Sequence, residues 1–229
     1  MRGTYLPFLI GAILWGGSTW TSARAEVEKP GQGEFIYYPN GAFLREVALG
    51  YEQAAASLAW IRTVQYYGEH TRTDKQFDML YHMCNITTDL DPRFEEPYVF
   101  GALVLLTEGK QPTAGMKLLE KGRGQNPDNW RIHFETGFCY YIAWEDYQMA
   151  SYYFSKAAAM PGAPEQAKRF AAWVSYRAGD LRTSLYLWAD LAQRTTNPEL
   201  REKAIRKVEE LTRELEARPE EPSSGAKSG

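Results

Sequence analysis

Along most of this chain, apolar residues recur at three- and four-residue intervals, the spacing of one face of an α-helix. The clearest stretch is NPELREKAIRKVEELTRELEA, from Asn197. Leu200, Ala204, Ile205, Val208, Leu211 and Leu215 form one stripe, and the opposite face is Glu, Lys and Arg. Asn197 reads as the N-cap and Pro198 as the first helical residue. Further upstream, GYEQAAASLAWIRTVQYYGEH and FDMLYHMCNITTDLDP, joined by the polar link HTRTDKQ, predict a pair of helices.

The stretches between these two resemble one another. LDPRFEEPYVFGALVLLTEGKQPTAGMKLLEKG begins at Leu90, and QNPDNWRIHFETGFCYYIAWEDYQMASYYFSKA begins at Gln125. Each opens on a proline turn (Pro92, Pro127), continues through an aromatic residue and a mid-helix glycine (Gly101, Gly137), and ends in a second helix. The prolines are 35 residues apart and the glycines 36. A third copy, from Ala163, has Ala172 at the small site, Gly179-Asp180 at the turn and Trp188 in its second helix. The pattern predicts four helix pairs, at 42–91, 92–127, 128–162 and 163–197. Small residues at Gly101, Gly137, Ala150, Ala157 and Ala172 mark close helix approaches, and Tyr140, Phe154 and Trp188 fill the spaces between. A helix pair cannot bury its apolar face alone, so such units stack. The helix at 198–217 then seals the last pair and turns its charged face to water.

Gly101, Gly137, Tyr140, Tyr147, Ala150, Phe154 and Ala157, with the Asp91-Pro92 and Asn126-Pro127 endings, resemble the tetratricopeptide repeat (TPR) family. The resemblance is close in the middle two copies and looser in the outer two. It implies an all-α solenoid, a right-handed superhelix of about four stacked antiparallel helix pairs with a C-terminal capping helix. WIRTVQYYGEH and its long link are also similar to secreted bacterial repeat proteins of unassigned role.

Composition narrows the setting. The chain has 229 residues, 44% hydrophobic and 24% charged, with a net charge of −3. That balance is ordinary for a globular protein and lacks the basic footprint of a general nucleic-acid binder. The first 25 residues carry Arg2, the apolar run LPFLIGAILW and a closing Ala23-Arg24-Ala25, the order of a cleavable signal peptide. Cleavage after Ala25 would remove Arg2 and Arg24, take the charge from −3 to −5 and release an exported, periplasmic or secreted protein. The alternative is an uncleaved anchor over residues 6–20. Residues 26–41 read as an irregular leader, and 218–229 (RPEEPSSGAKSG) as a disordered tail. Cys84 and Cys139 could form one bridge in an oxidising compartment. Their places in non-adjacent repeats favour two small buried residues instead.

Little here suggests catalysis or a metal. His70, His82 and His133 have no second His at helical spacing, and no zinc, phosphate-loop or nucleophile-elbow motif occurs. Glu69-His70 reads as a polar pair at a helix end. No cofactor is expected. The remaining signal is aromatic and basic. In a repeat stack the first helix of each pair lines the concave face. By register, Arg131, Phe134, Phe138, Tyr141 and Ile142 point inward from one pair. Tyr98, Ala102, Leu105 and Leu106 do so from the pair before, and Arg169, Trp173, Tyr176 and Arg177 from the pair after. Arg62 joins them from the first pair. Tyr, Trp and Arg are the residues binding hot spots use, and arginine edges suit a carboxylate or an acidic peptide. The expected function is a non-enzymatic scaffold of the bacterial cell envelope that binds a protein or peptide partner. The alternative is a receptor for a small molecule or glycan that stacks on the same aromatics. Membrane contact is expected only through the signal or an uncleaved anchor.

Overall fold

Proline, glycine and polar caps cut the chain into short helices. The computed structural model describes residues 41–217. These residues form ten α-helices and no strand: α1 (Gly41–Val47), α2 (Glu52–Arg72), α3 (Leu80–Leu90), α4 (Glu96–Thr107), α5 (Pro112–Gln125), α6 (Trp130–Cys139), α7 (Tyr147–Ala158), α8 (Glu165–Arg177), α9 (Leu181–Arg194) and α10 (Pro198–Ala217). The expected signal peptide, the leader apart from Gly41, and the tail at 218–229 lie outside the described residues. Among the described residues no helix is long and apolar enough to cross a membrane.

From α2 onward, each helix packs on the next in chain order. Further contacts join α1 to α3, α3 to α5 and α4 to α6. Alternate helices therefore also meet where α2–α3 adjoins α4–α5 and where α4–α5 adjoins α6–α7. Polar bonds tie together the links between pairs and the pairs themselves. Asn126 Nδ2 donates to the Pro92 carbonyl at 2.8 Å. Lys121 Nζ, on α5, donates to Asn85 Oδ1 (2.9 Å), Thr88 Oγ1 (2.8 Å) and Asp89 Oδ1 (2.5 Å) on α3.

Helix starts follow local chemistry. Asn129 caps α6 by accepting from the Arg131 and Ile132 amides, and Asp146 and Asp180 do the same for α7 and α9. Asn197 Oδ1 accepts from the Glu199 and Leu200 amides at 3.0 and 3.2 Å, so α10 begins at Pro198 as the sequence indicates.

The turns inside the pairs repeat as well. A left-handed residue stands at Lys75 (φ 56°), Lys110 (52°), Glu145 (50°) and Gly179 (81°), at intervals of 35, 35 and 34 residues. At each, an amide at or just after that residue bonds back to a carbonyl of the preceding helix. The bonds are Lys75 N to His70 O, Gln111 N to Leu105 O, Asp146 N to Tyr140 O and Asp180 N to Ser175 O. In the third pair α6 runs on into this turn as a π-helical stretch, Tyr140–Trp144.

The helix contacts correct the repeat register. An added Cβ on Gly137 would lie 3.2 Å from the Ala150 carbonyl, and one on Gly115 would lie 3.0 Å from the Ala102 carbonyl. Ser184 Oγ donates to the Ala172 carbonyl at 2.8 Å. Ala102, Gly137 and Ala172 are thus equivalent points of closest approach, 35 residues apart in each step. Gly101 is equivalent instead to Thr136 and Ala171. It makes room for the Cys84 sulfur and the Leu118 methyl, each 2.7 Å from its added Cβ. Pairing Gly101 with Gly137 shifts the reading by one residue, about 100° around a helix.

Adjacent residues of α8 serve different layers of the core. Ala171 packs with Ala150, Phe154, Ala158, Ala167 and Val174, whereas Ala172 packs with Leu181, Trp188, Leu191, Leu200, Ala204 and Leu211. The second cluster includes three residues of α10, so this helix closes the end of the stack.

Candidate functional site

With the 35-residue register, the outward row of alternate helices can be placed. Leu103 of α4, Phe138 of α6 and Trp173 of α8 are equivalent, as are Leu106, Tyr141 and Tyr176. Leu103, Trp173 and Tyr176 are exposed (37%, 39% and 40%), and Phe138 and Tyr141 are half-buried. The Tyr141 and Trp173 rings meet edge to face with centroids 5.3 Å apart. The row is therefore continuous between α6 and α8.

Three residues expected on this surface lie elsewhere. Tyr98, Ala102 and Leu105 are 0%, 2% and 0% exposed and belong to the core. The Tyr98 ring packs over Gly122, whose added Cβ would lie 3.0 Å from it, and burial raises the phenol to about 12. The one-residue slip explains the error. The equivalents of Phe134, Phe138 and Tyr141 in α4 are Val99, Leu103 and Leu106. Phe134 is also drawn inward: its ring meets those of Phe154 and Phe170 at 4.9 and 5.4 Å, so it wedges between two pairs.

The four arginines differ in their partners. Arg131 pairs with Glu95 and Glu96 across α4 and α6. Arg177 donates to the Tyr147 hydroxyl at 3.1 Å and lies over its ring at 5.0 Å. Arg169 and Arg62 are exposed, and among the described residues neither has a carboxylate within 4.0 Å. Arg62 lies on α2, three helix pairs from Arg169.

Arg169 and Trp173 enter a cavity of about 320 Å³ whose other walls are Phe170, Trp188, Lys203 and Lys207. Among the described residues, three cations and three aromatics line it and no carboxylate does; Arg169 and Lys203 are exposed and Trp188 is buried. Lys203 and Lys207 are one helical turn apart on α10, the face expected simply to meet water. The sequence pattern missed them because it assigned binding to the first helices alone.

Glu135 was also missed. It occupies the site held by Phe100 and Phe170 in the flanking pairs, so a carboxyl stands where its equivalents are phenyl rings. Burial raises its pKa to about 7, against the opposing pull of Arg131. By contrast, Cys84 and Cys139 are buried free thiols in different pairs. Burial pushes Cys84 up to about 12 and, with help from the Glu135 charge, Cys139 up to about 11, which leaves little nucleophilic thiolate. His133 donates from Nε2 to the Pro127 carbonyl at 2.9 Å, leaving buried Nδ1 without a partner, and burial lowers its pKa. His70 pairs with Asp74 at 2.6 Å rather than with Glu69. Among the described residues, no group of three or more His, Cys, Asp and Glu could hold a metal ion.

The fold and its surfaces carry the functional reading unaided, since no family model matches the chain and no curated protein matches it.

Proposed function

We propose that this protein is a non-enzymatic binding scaffold of the cell envelope that holds a protein or peptide partner along the outward row of its alternate helices. The observation that carries this reading is the row itself. Leu103, Phe138 and Trp173 recur at 35-residue intervals, with Tyr176 beside them and Arg169 and Arg177 at the edge. Burying such apolar and aromatic surface supplies binding free energy at about 25 cal/mol per Å², and the exposed guanidiniums favour an anionic partner. Membership of the tetratricopeptide repeat family and a right-handed superhelix belong to the same proposal. They are supported by the 35-residue period, the four helix pairs and the packing in chain order. Export rests on the first 25 residues alone.

The test is capture of partners from the cell envelope by the tagged protein and by two variants, Leu103→Ser and Arg169→Ala. Both side chains are exposed, so both variants should melt like the parent. A partner retained by the parent and lost from both variants supports the row. Undiminished capture by both overturns it. The cavity at α8–α10 favours a second reading, a receptor for a small molecule or glycan; a bound small molecule released from the purified protein would decide for it.

A further inference from the structure

The cavity between α8, α9 and α10 has its aromatic body and its cationic rim built from different segments. Phe170, Trp173 and Arg169 come from α8, Trp188 from α9, and Lys203 and Lys207 from α10. Trp188 is 5% exposed and Phe170 half-buried, so the floor is fixed by core packing. The rim is unusual for a chain of net charge −3. Lys207 shares its charge with Glu210 at 2.7 Å, but among the described residues Arg169 and Lys203 have no carboxylate within 4.0 Å. Like charges on one rim repel, and an anion between them turns that repulsion into attraction. A group that lays an apolar side chain on the indoles and a carboxylate on the rim would satisfy both halves at once.

We infer that this cavity receives a peptide segment in which a bulky apolar side chain is flanked by acidic residues, with the capping helix supplying two of the three cations that read its charge. The inference rests on the scaffold reading and names the chemistry of the partner. It also gives α10 a second role: its apolar stripe seals the last pair, and the two lysines beside that stripe complete a site. Trp173 belongs to both the row and the cavity, so a partner lying along the row would end here.

The test is calorimetric titration of the purified protein with blocked pentapeptides, acetyl-Gly-Glu-Phe-Glu-Gly-amide and its analogues with Gln or Lys for both Glu. The acidic peptide should bind at least about tenfold more tightly than either analogue, a difference of ~1.4 kcal/mol. The double variant Lys203→Gln/Lys207→Gln and the single variant Arg169→Gln should each weaken it by at least about threefold, and added salt should weaken it further. A melting curve accompanies each variant, and if the double variant unfolds early, Arg169→Gln decides. Equal binding of the acidic and neutral peptides overturns the inference, as does undiminished binding by Arg169→Gln. So does binding confined to a peptide with a free C-terminal carboxylate, or tighter binding of oligothymidylate than of the acidic peptide. Leu103→Ser, two helix pairs away, reports on the row alone and Lys203→Gln on the cavity alone, so the two readings can fail separately.

Discussion

At the residue scale, the same substitution has opposite effects at two glycines. Gly137→Ala would bring a methyl to 3.1 Å from the Phe154 ring and 3.2 Å from the Ala150 carbonyl. The ring is fully buried and the carbonyl is helix backbone, so neither yields easily. The variant should lose about 1–3 kcal/mol, as overpacking does. Gly68→Ala, at an exposed position of α2 with nothing within 4 Å, should gain about 0.5–1 kcal/mol of helix propensity. Denaturant melts of the two variants check both signs. Glu135 gives a third test. Its folded pKa, about 7, lies above the ordinary carboxyl value of 4.5. The folded state therefore holds the proton more tightly, and this contribution is lost as pH rises from the unfolded pKa through the folded one. His133, with a lowered folded pKa, acts in the opposite direction as pH falls. The comparison must therefore be between the parent and Glu135→Gln. The variant should gain on the parent, by on the order of 1–3 kcal/mol, between pH 5 and pH 8. Melting curves of both proteins across that range would show a constant difference if the Glu135 carboxyl is not desolvated.

At the element scale, the turns inside the helix pairs show how one local solution is reused with different residues. Lys75, Lys110 and Glu145 hold a left-handed backbone that a side chain disfavours, while the fourth pair uses Gly179. The bonds that the turn amides donate to carbonyls at the helix ends offset that strain. Lys110→Gly should therefore stabilise the protein by about 0.5–1 kcal/mol, and Gly179→Ala should destabilise it by at least as much. A thermal shift of the same sign in both variants would contradict this account of the turn. Packing between helices contributes more than the turns do. Phe154 is fully buried between α6, α7 and α8, and its truncation to Ala should cost about 3–5 kcal/mol.

At the scale of the whole molecule, packing in chain order makes stability local. α10 contributes Leu200, Ala204 and Leu211 to a cluster otherwise drawn from α8 and α9. Leu211→Asp would bury a charge at a site that is 2% exposed. It should release α8–α10 while α4 and α5, which share no core cluster with α10, remain protected. Hydrogen exchange resolved by segment tests this. Uniform loss of protection from α2 to α10 would mean that the stack unfolds as one cooperative unit.

Apart from α1, which the repeat pattern did not mark as a separate helix, the helices and their pairing are written in local chemistry, and for that reason the sequence reveals them. A stripe such as Leu200–Ala204–Leu211, or a cap such as Asn197 before Pro198, acts within a few residues. The left-handed residues Lys75, Lys110 and Glu145 are not glycines and give no such signal, and neither does the π-helical turn at Tyr140–Trp144. Register was decided only in three dimensions. Sequence similarity weighs Gly101 against Gly137 because both are glycine, but the backbone approaches at Gly115–Ala102 and Gly137–Ala150 pair Ala102 with Gly137. Because each helical residue turns the chain by about 100°, that single step moved Tyr98 from the expected surface into the core and brought Leu103 out. The cavity is more remote still from the pattern. Arg169 and Lys203 are 34 residues apart, each an ordinary solvated cation on its own helix. They share a rim only because the apolar stripe of α10 is buried against α8 and α9.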